Sequence, residues 1–213
     1  MKQRQLSSLD TLIDVIDNGL RTVFSTPHTQ RDNPAEQVEN VELSESEKAL
    51  SGRLMRINHA GEVAAQGLYQ GQALTARLKS VREKMDAAAQ EENDHLNWCA
   101  NRIKDLGTHT SVLDPLWYGG SLTIGALAGL AGDKWSLGFV AETEKQVVAH
   151  LDEHLLRVSD NDQKTRAILE QMRDDEGKHA TTAIESGGVP LPSPIQALMK
   201  LTSKLMTRTA FWI

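Results

Sequence analysis

The feature that most limits what this chain can fold into is a repeated order of glutamates and histidines. Glu92-x-x-His95 lies 30 residues after Glu62, and Glu176-x-x-His179 lies 32 residues after Glu144. Residues at i and i+3 share one helix face, so each Glu-x-x-His can send both side chains to one point. The matching separations make each half read as a helical hairpin, with a lone glutamate on its first helix and the pair on its second. Four long helices are therefore needed, and the sequence marks their ends. Ser44 with Glu47 has capping-box spacing, in which each side chain satisfies an unpaired backbone donor, so a first helix is predicted from there to about Lys79. Ser80 with Glu83 repeats the signal and Gly107 suits a C-terminal cap, giving a second helix over roughly 81–106. A third is predicted from about Lys134 to Val158. A fourth begins near Asp160 or Asn161 and ends at Gly187-Gly188.

A single Glu-x-x-His is usually a solvated pair. Two copies in equivalent hairpins, each preceded by a lone glutamate, form the ligand set of di-iron carboxylate bundles. Four buried glutamates repel one another, and two ferrous ions supply the four positive charges that balance them. Carboxylate and imidazole donors suit iron or manganese. The predicted metal residues are Glu62, Glu92, His95, Glu144, Glu176 and His179. Glu142 competes with Glu144; the hairpin spacing favours Glu144, as does Leu151, seven residues on, which matches Tyr69 seven after Glu62. Glu91 and Asp175 each precede a histidine by four residues, so either can orient an imidazole or be an exposed charge. Tyr69 can point into the same cavity and touch substrate or oxygen, a packed core tyrosine being the blander reading. His59 and His150 read as structural, and Cys99 as a small buried hydrophobe.

The rest of the chain frames this centre. With 213 residues, 39% of them hydrophobic, it suits one all-α soluble domain. Residues 1–43 read as an N-terminal amphipathic helix and linker: Leu9, Leu12, Ile13, Ile16, Leu20 and Val23 give a helix over 6–24, and Thr26 to Glu42 a polar surface linker. Residues 44–213 read as the four-helix bundle, with an apolar, glycine-rich insertion at about 115–133, uncharged from Pro115 to Gly132, and a basic C-terminal amphipathic helix. The insertion is shorter than the ~20 apolar residues of a membrane-spanning helix. In the tail, Ile195, Leu198, Met199, Leu205 and Met206 form one stripe. A net charge of −6 argues against nucleic acid as a partner, and one cysteine leaves no internal disulfide. The first residues lack the long apolar core of a secretory signal, which points to the cytoplasm.

Four runs carry a family resemblance: Arg56-Ile-Asn-His-Ala-Gly-Glu62, Glu91-Glu92-Asn-Asp-His95, Ala-Glu-Thr-Glu144-Lys-Gln-Val-Val-Ala-His150-Leu, and Asp175-Glu176-Gly-Lys-His179. They closely resemble the demethoxyubiquinone hydroxylases, ferritin-like di-iron monooxygenases of ubiquinone biosynthesis. The resemblance is densest from His59 to Gly71 and around the two Glu-x-x-His pairs, and the 26–42 linker carries no motif that maps onto it. It implies a ferritin-like four-helix bundle with two iron ions, and hydroxylation of 2-polyprenyl-3-methyl-6-methoxy-1,4-benzoquinol by O2. It further implies electrons from the quinol itself or by direct reduction with NADH, and peripheral attachment to the cytoplasmic side of the cell membrane; no dinucleotide fingerprint is present, so a Rossmann-type nicotinamide site is not expected. The insertion, the N-terminal helix and the C-terminal helix are the three segments available for that attachment. Other ubiquinone-biosynthesis proteins, or further copies of the chain, are implied partners. Two alternatives stay open: another ferritin-like activity, such as iron oxidation and storage, peroxidase or tRNA hydroxylation, and a non-enzymatic lipid-binding helical scaffold.

Overall fold

The computed structural model describes residues 7–25 and 27–213, and every regular element among them is helical. Residue 6 and Thr26, the predicted starts of the first helix and of the linker, lie outside the described residues. Helix α1 spans Ser8–Phe24 and opens with a capping box between Ser7 and Asp10. The bundle helices are α2 (Glu45–Thr75), α3 (Lys79–Asp105), α5 (Asp133–Arg157) and α6 (Gln163–Glu185). The Ser44–Glu47 box caps α2 as predicted. Gly107 and Gly187, both at positive φ, close α3 and α6 with paired backbone bonds: Thr108 N–H donates to Ile103 and Gly107 N–H to Lys104, and Gly188 and Gly187 do the same to Ala183 and Ile184.

Two boundaries differ from the sequence reading. Ser80 is not a cap: α2 stops at Thr75 and α3 is already helical at Lys79. The Asp133 carboxylate, from the start of α5, accepts the N–H groups of Arg77 and Leu78 and holds this turn, so a distant residue replaces the local cap. The fourth bundle helix begins at Gln163 because the carboxylate of Asp162 accepts Thr165 N–H, while Arg102 Nη2 holds that carboxylate at 2.6 Å.

Two apolar clusters stack along the bundle. A lower one gathers Leu54, Met55, Trp98, Ile103, Leu151, Leu155, Ile168 and Met172; an upper one gathers Tyr69, Val81, Met85, Leu137, Val140 and Ala183. Their order along each helix shows that α2 and α6 run upward while α3 and α5 run downward. The chain must therefore return from the bottom of α3 to the top of α5. The glycine-rich segment is that return: α4 (Asp114–Ala131) climbs beside α2. Glycines let the backbones touch. A Cβ built on Gly67 would sit 2.4 Å from Tyr118 O, on Gly71 2.2 Å from Leu122 O, and on Gly125 2.2 Å from Leu68 O. Gly129 meets Thr75, so the Gly125-x-x-x-Gly129 face is spent on α2. No described helix is long and apolar enough to cross a membrane.

The polar stretch before α2 is more than a surface linker. It contains a 3-10 turn (Pro34–Gln37), and Ala35 and Leu43 are buried in the lower cluster. At the other end, α7 (Ser193–Ala210) lies against α2 and α5, and part of its apolar stripe faces inward.

Candidate metal centre

The four lone or paired glutamates fall between the two apolar clusters, one from each bundle helix, and form a polar layer inside an otherwise dry core. Glu62, Glu92, Glu144, Glu176 and His95 are all buried; His179 sits at the edge with its side chain 11% exposed. Ligand atoms of Glu62, Glu92, His95 and Glu176 all lie within 4.8 Å of one another. The two Glu-x-x-His pairs interlock. Glu92 presents Oε2 to His95 Nδ1 at 2.9 Å and Oε1 to His179 Nδ1 at 3.2 Å. Glu176 presents Oε1 to His95 Nδ1 at 3.2 Å and Oε2 to His179 Nδ1 at 3.3 Å. Each of these carboxylates thus spans both imidazoles. Glu62 Oε2 stands 3.9 Å from His95 Nδ1, and Glu144 faces Glu176 closely enough that the Glu176 carboxylate disfavours charge on Glu144.

All six residues named from sequence are brought together, and Glu144 rather than Glu142 faces inward. Glu142, only partly buried, instead accepts Gln146 Nε2 one turn along α5. Tyr69 is fully buried and its hydroxyl donates to Glu144 Oε1. Cys99 is buried with Sγ 3.7 Å from Met172 Sδ and has no part in the cluster. His59 lies 3.3 Å from Asp114, away from the polar layer.

Glu91 and Asp175 do not meet the histidines four residues on in their own helices; each meets the histidine of the facing helix. Asp175, on α6, reaches Nε2 of His95 on α3 at 3.3 Å, and Glu91, on α3, reaches Nε2 of His179 on α6 at 2.8 Å. Side chains four residues apart on one helix cannot both face the centre and bend behind it, whereas a facing helix supplies the right direction.

Sequence reasoning missed three residues. Arg31, from the stretch before α2, bridges Asp94 and Asp175 behind His95. His154 Nδ1–H donates to the Asn58 amide oxygen at 2.9 Å, and its buried position, with His150 and Arg157 near, pushes its pKa down to about 3. No local motif flags either contact. His150, read as structural, lines a cavity beside the centre and lies 3.1 Å from Ser203 Oγ.

That cavity, about 290 Å³, runs between α2, α4, α5 and α7. Its wall is apolar, including Ile57, Leu68, Ile124, Phe139, Val147, Leu198, Met199 and Met206, and three of the four carboxylates, Glu62, Glu144 and Glu176, border it. Ile124 and Leu198 both line it and remain exposed, so it opens between α4 and α7.

The electrostatics call for cations. Burial, reinforced by neighbouring carboxylates, holds the pKa values of Glu62 and Glu144 well above the usual range. Burial works against charge on His95 as well, yet Glu92, Asp175 and Glu176 raise its pKa well above that of a free imidazole. Glu92 Oε1 makes no hydrogen bond of good geometry despite being buried. Four carboxylates around two inward-facing Nδ1 atoms, all oxygen and nitrogen donors, fit divalent transition metals. This cluster can bind metal.

Similarity to known proteins agrees with that geometry. The family described as "Ubiquinone biosynthesis protein COQ7" matches residues 49–210. A 3-demethoxyubiquinol 3-hydroxylase of Nitrosococcus oceani is 63% identical over 214 residues, spanning 100% of both chains. Enzymes of the same name from Nitrosomonas eutropha and Legionella pneumophila (strain Paris) are 55% and 54% identical, covering 97% and 99% of this chain and 99% and 100% of their own. On a match that takes in every residue of the polar layer, the chain is a member of the COQ7 family of ubiquinone biosynthesis proteins.

Proposed function

We propose that this protein is a di-iron monooxygenase that hydroxylates demethoxyubiquinol, 2-polyprenyl-3-methyl-6-methoxy-1,4-benzoquinol, at its free ring carbon in ubiquinone biosynthesis. Glu62, Glu92, His95, Glu144, Glu176 and His179 are its iron ligands. The observation that carries the reading is an apolar cavity ending on three buried glutamates of a Glu/His cluster. A greasy ring with a prenyl tail fits such a wall, and ordinary polar metabolites do not. Two iron ions, when bound, supply the redox chemistry with O2 that side chains lack.

The chain's own residues do the rest. The cavity wall binds the ring and excludes water from the reacting carbon. Glu62, Glu144 and Glu176, at its end, fix where the ring edge meets the metal site. Tyr69 keeps a proton on its hydroxyl, donated to Glu144 Oε1, because burial and then the charge of Glu144 hold its pKa well above that of a free phenol. This bond fixes the orientation of the Glu144 carboxylate.

The substrate's tail places it in a bilayer, and the protein works at the membrane surface, on the cytoplasmic side. Leu127 and Leu130 of α4 and Leu198, Leu201 and Leu205 of α7 are exposed, flanking the helices between which the cavity opens. On α1, Leu9, Leu12, Ile13, Ile16, Leu20 and Phe24 are exposed as well.

The decisive experiment supplies anaerobically iron-loaded protein with a reductant, a demethoxyubiquinol analogue and labelled O2, and weighs the product. One labelled oxygen in the ring is the expected result. Bound iron without labelled product would reject the substrate. Absence of both iron and product would favour a non-enzymatic scaffold.

A further inference from the structure

The two histidines of the centre are held from behind in unlike ways. His179 Nε2 meets Glu91, a glutamate whose side chain is 55% exposed. His95 is fully buried, and its Nε2 lies 3.3 Å from Asp175 Oδ2. That oxygen also accepts Arg31 Nη1 at 2.6 Å. Arg31 Nε donates to Asp94 Oδ2 at 2.7 Å, and Gln30 N–H donates to Asp94 Oδ1 at 2.7 Å. The guanidinium rests 4.9 Å above the Trp98 ring, itself 5.4 Å from the His95 ring.

The stretch carrying Arg31 is pinned on both sides of it. Pro27 O accepts Asn97 Nδ2, and Ala35 is buried in the lower cluster. It therefore forms a strap across α3 and α6, reaching one helix of each hairpin at the point behind His95. The strap precedes residue 49, where the family match begins. Asp94 and Asp175 are both buried, and the hydrogen bonds recorded for the Asp94 carboxylate both come from the strap. A planar guanidinium can serve two carboxylates at once in fixed directions; an ammonium cannot hold that plane.

We propose that Arg31 is a positioning residue for the His95 half of the metal centre, and that the strap makes this half the more tightly held of the two metal positions. The inference rests on the metal-centre reading above. Arg31 makes the shortest of the bonds that fix Asp175, at 2.6 Å, with Gln171 Nε2 and Lys178 Nζ donating to the same carboxylate at 3.0–3.1 Å; Asp175 fixes the Nε2–H direction of His95, and the ring plane then aims Nδ1 at the cluster. Losing such a partner behind a metal-ligating histidine typically costs 10–100-fold in metal affinity. Glu91 gives His179 a weaker hold because water competes for an exposed carboxylate.

The test uses the full chain loaded anaerobically with ferrous ion and titrated against a graded chelator, reading iron retained per chain. Wild type is expected to release iron in two steps. Arg31→Gln moves the tighter step about 10-fold toward weaker binding, the lower end of that range because Asp175 stays in place with Gln171 and Lys178, and leaves the other step in place. Arg31→Lys, which restores the charge, recovers part of the shift, and Glu91→Gln moves only the weaker step. Should Arg31→Gln fail to fold, the Lys and Glu91 variants read the same two steps. A tighter step within twofold of wild type in the folded Arg31 variants overturns the proposal. So does a joint fall of both steps with the melting temperature, which would make the strap merely structural. Wild type that binds fewer than two irons overturns the metal-centre reading, and this inference with it.

Discussion

Replacing Gly125 by alanine tests the packing that places the wall of the cavity. A Cβ there would stand 2.2 Å from Leu68 O, 2.9 Å from Leu68 C and 3.0 Å from Leu68 Cα. All three are backbone atoms of α2, so no rotamer change relieves the clash. Restoring ordinary contact needs α2 and α4 to part by roughly 1 Å, and overpacking of this kind costs about 1–3 kcal/mol. A clash with backbone belongs at the top of that range. Alanine regains about 1 kcal/mol of helix propensity over glycine, leaving a net loss of about 2 kcal/mol. Gly119, on the same helix, is the control. A Cβ there meets nothing within 4 Å, so Gly119→Ala should gain roughly 0.5–1 kcal/mol from propensity alone. Urea unfolding followed by circular dichroism gives both numbers, with equal m-values confirming that only stability has changed. Ser121 and Ile124 ride on α4 into the cavity, so Gly125→Ala should also raise KM for a quinol analogue while Gly119→Ala leaves it unchanged. Gly125→Ala as stable as wild type would refute the close-approach argument.

The remaining predictions concern the site and its surroundings. Glu176→Ala should keep its helical circular dichroism but lose bound iron and activity; full iron retention would remove Glu176 from the ligand set. Tyr69→Phe should fold normally and lose about 10–100-fold in activity or metal affinity, since only the bond to Glu144 is deleted; unchanged kinetics and iron content would leave the tyrosine a packing residue. His154 gives a pH effect. Its folded pKa of about 3 lies below the ~6.5 of an unfolded histidine, so the unfolded chain takes the proton first as pH falls. Its contribution is intact above pH ~6.5 and erodes below, by about 2 kcal/mol at pH 5. The urea midpoint of His154→Gln should therefore fall less between pH 7 and 5 than that of wild type, and parallel slopes would contradict the assignment. Finally, Leu127→Asp, or deletion of 195–213, should release the protein from liposomes in a sedimentation assay. Leu127 is 62% exposed, so the charge costs the fold little, and unchanged sedimentation would count against α4 and α7 as the membrane face.

Much of the site was legible because helix geometry converts spacing into direction. Glu92 with His95 and Glu176 with His179 had to share a face, and the matching hairpin separations selected Glu62 and Glu144. The caps at Ser44 and Gly107 were equally readable, because a cap is satisfied within a few residues of itself. Where a terminus was satisfied from afar, the local signal misled: Ser80 looks like a cap, but Asp133 holds that turn. The glycines of 119–132 could be read as a membrane-facing feature because composition does not say which face a neighbour occupies. Only the packing of Gly125 on Leu68 and of Gly71 on Leu122 shows that they bring α4 against α2.

Sequence alone thus determined the helical class and the six residues that meet in the polar layer, since these follow from periodicity and residue chemistry. Tertiary structure decided what those donors lean on and what they face. The crosswise pairing of Asp175 with His95 and Glu91 with His179, the Arg31 strap, and the apolar cavity under α7 all join residues far apart in the chain. Such contacts leave no period and no fixed spacing, because they are set by where the helices dock, and docking depends on the summed fit of many side chains rather than on any local run.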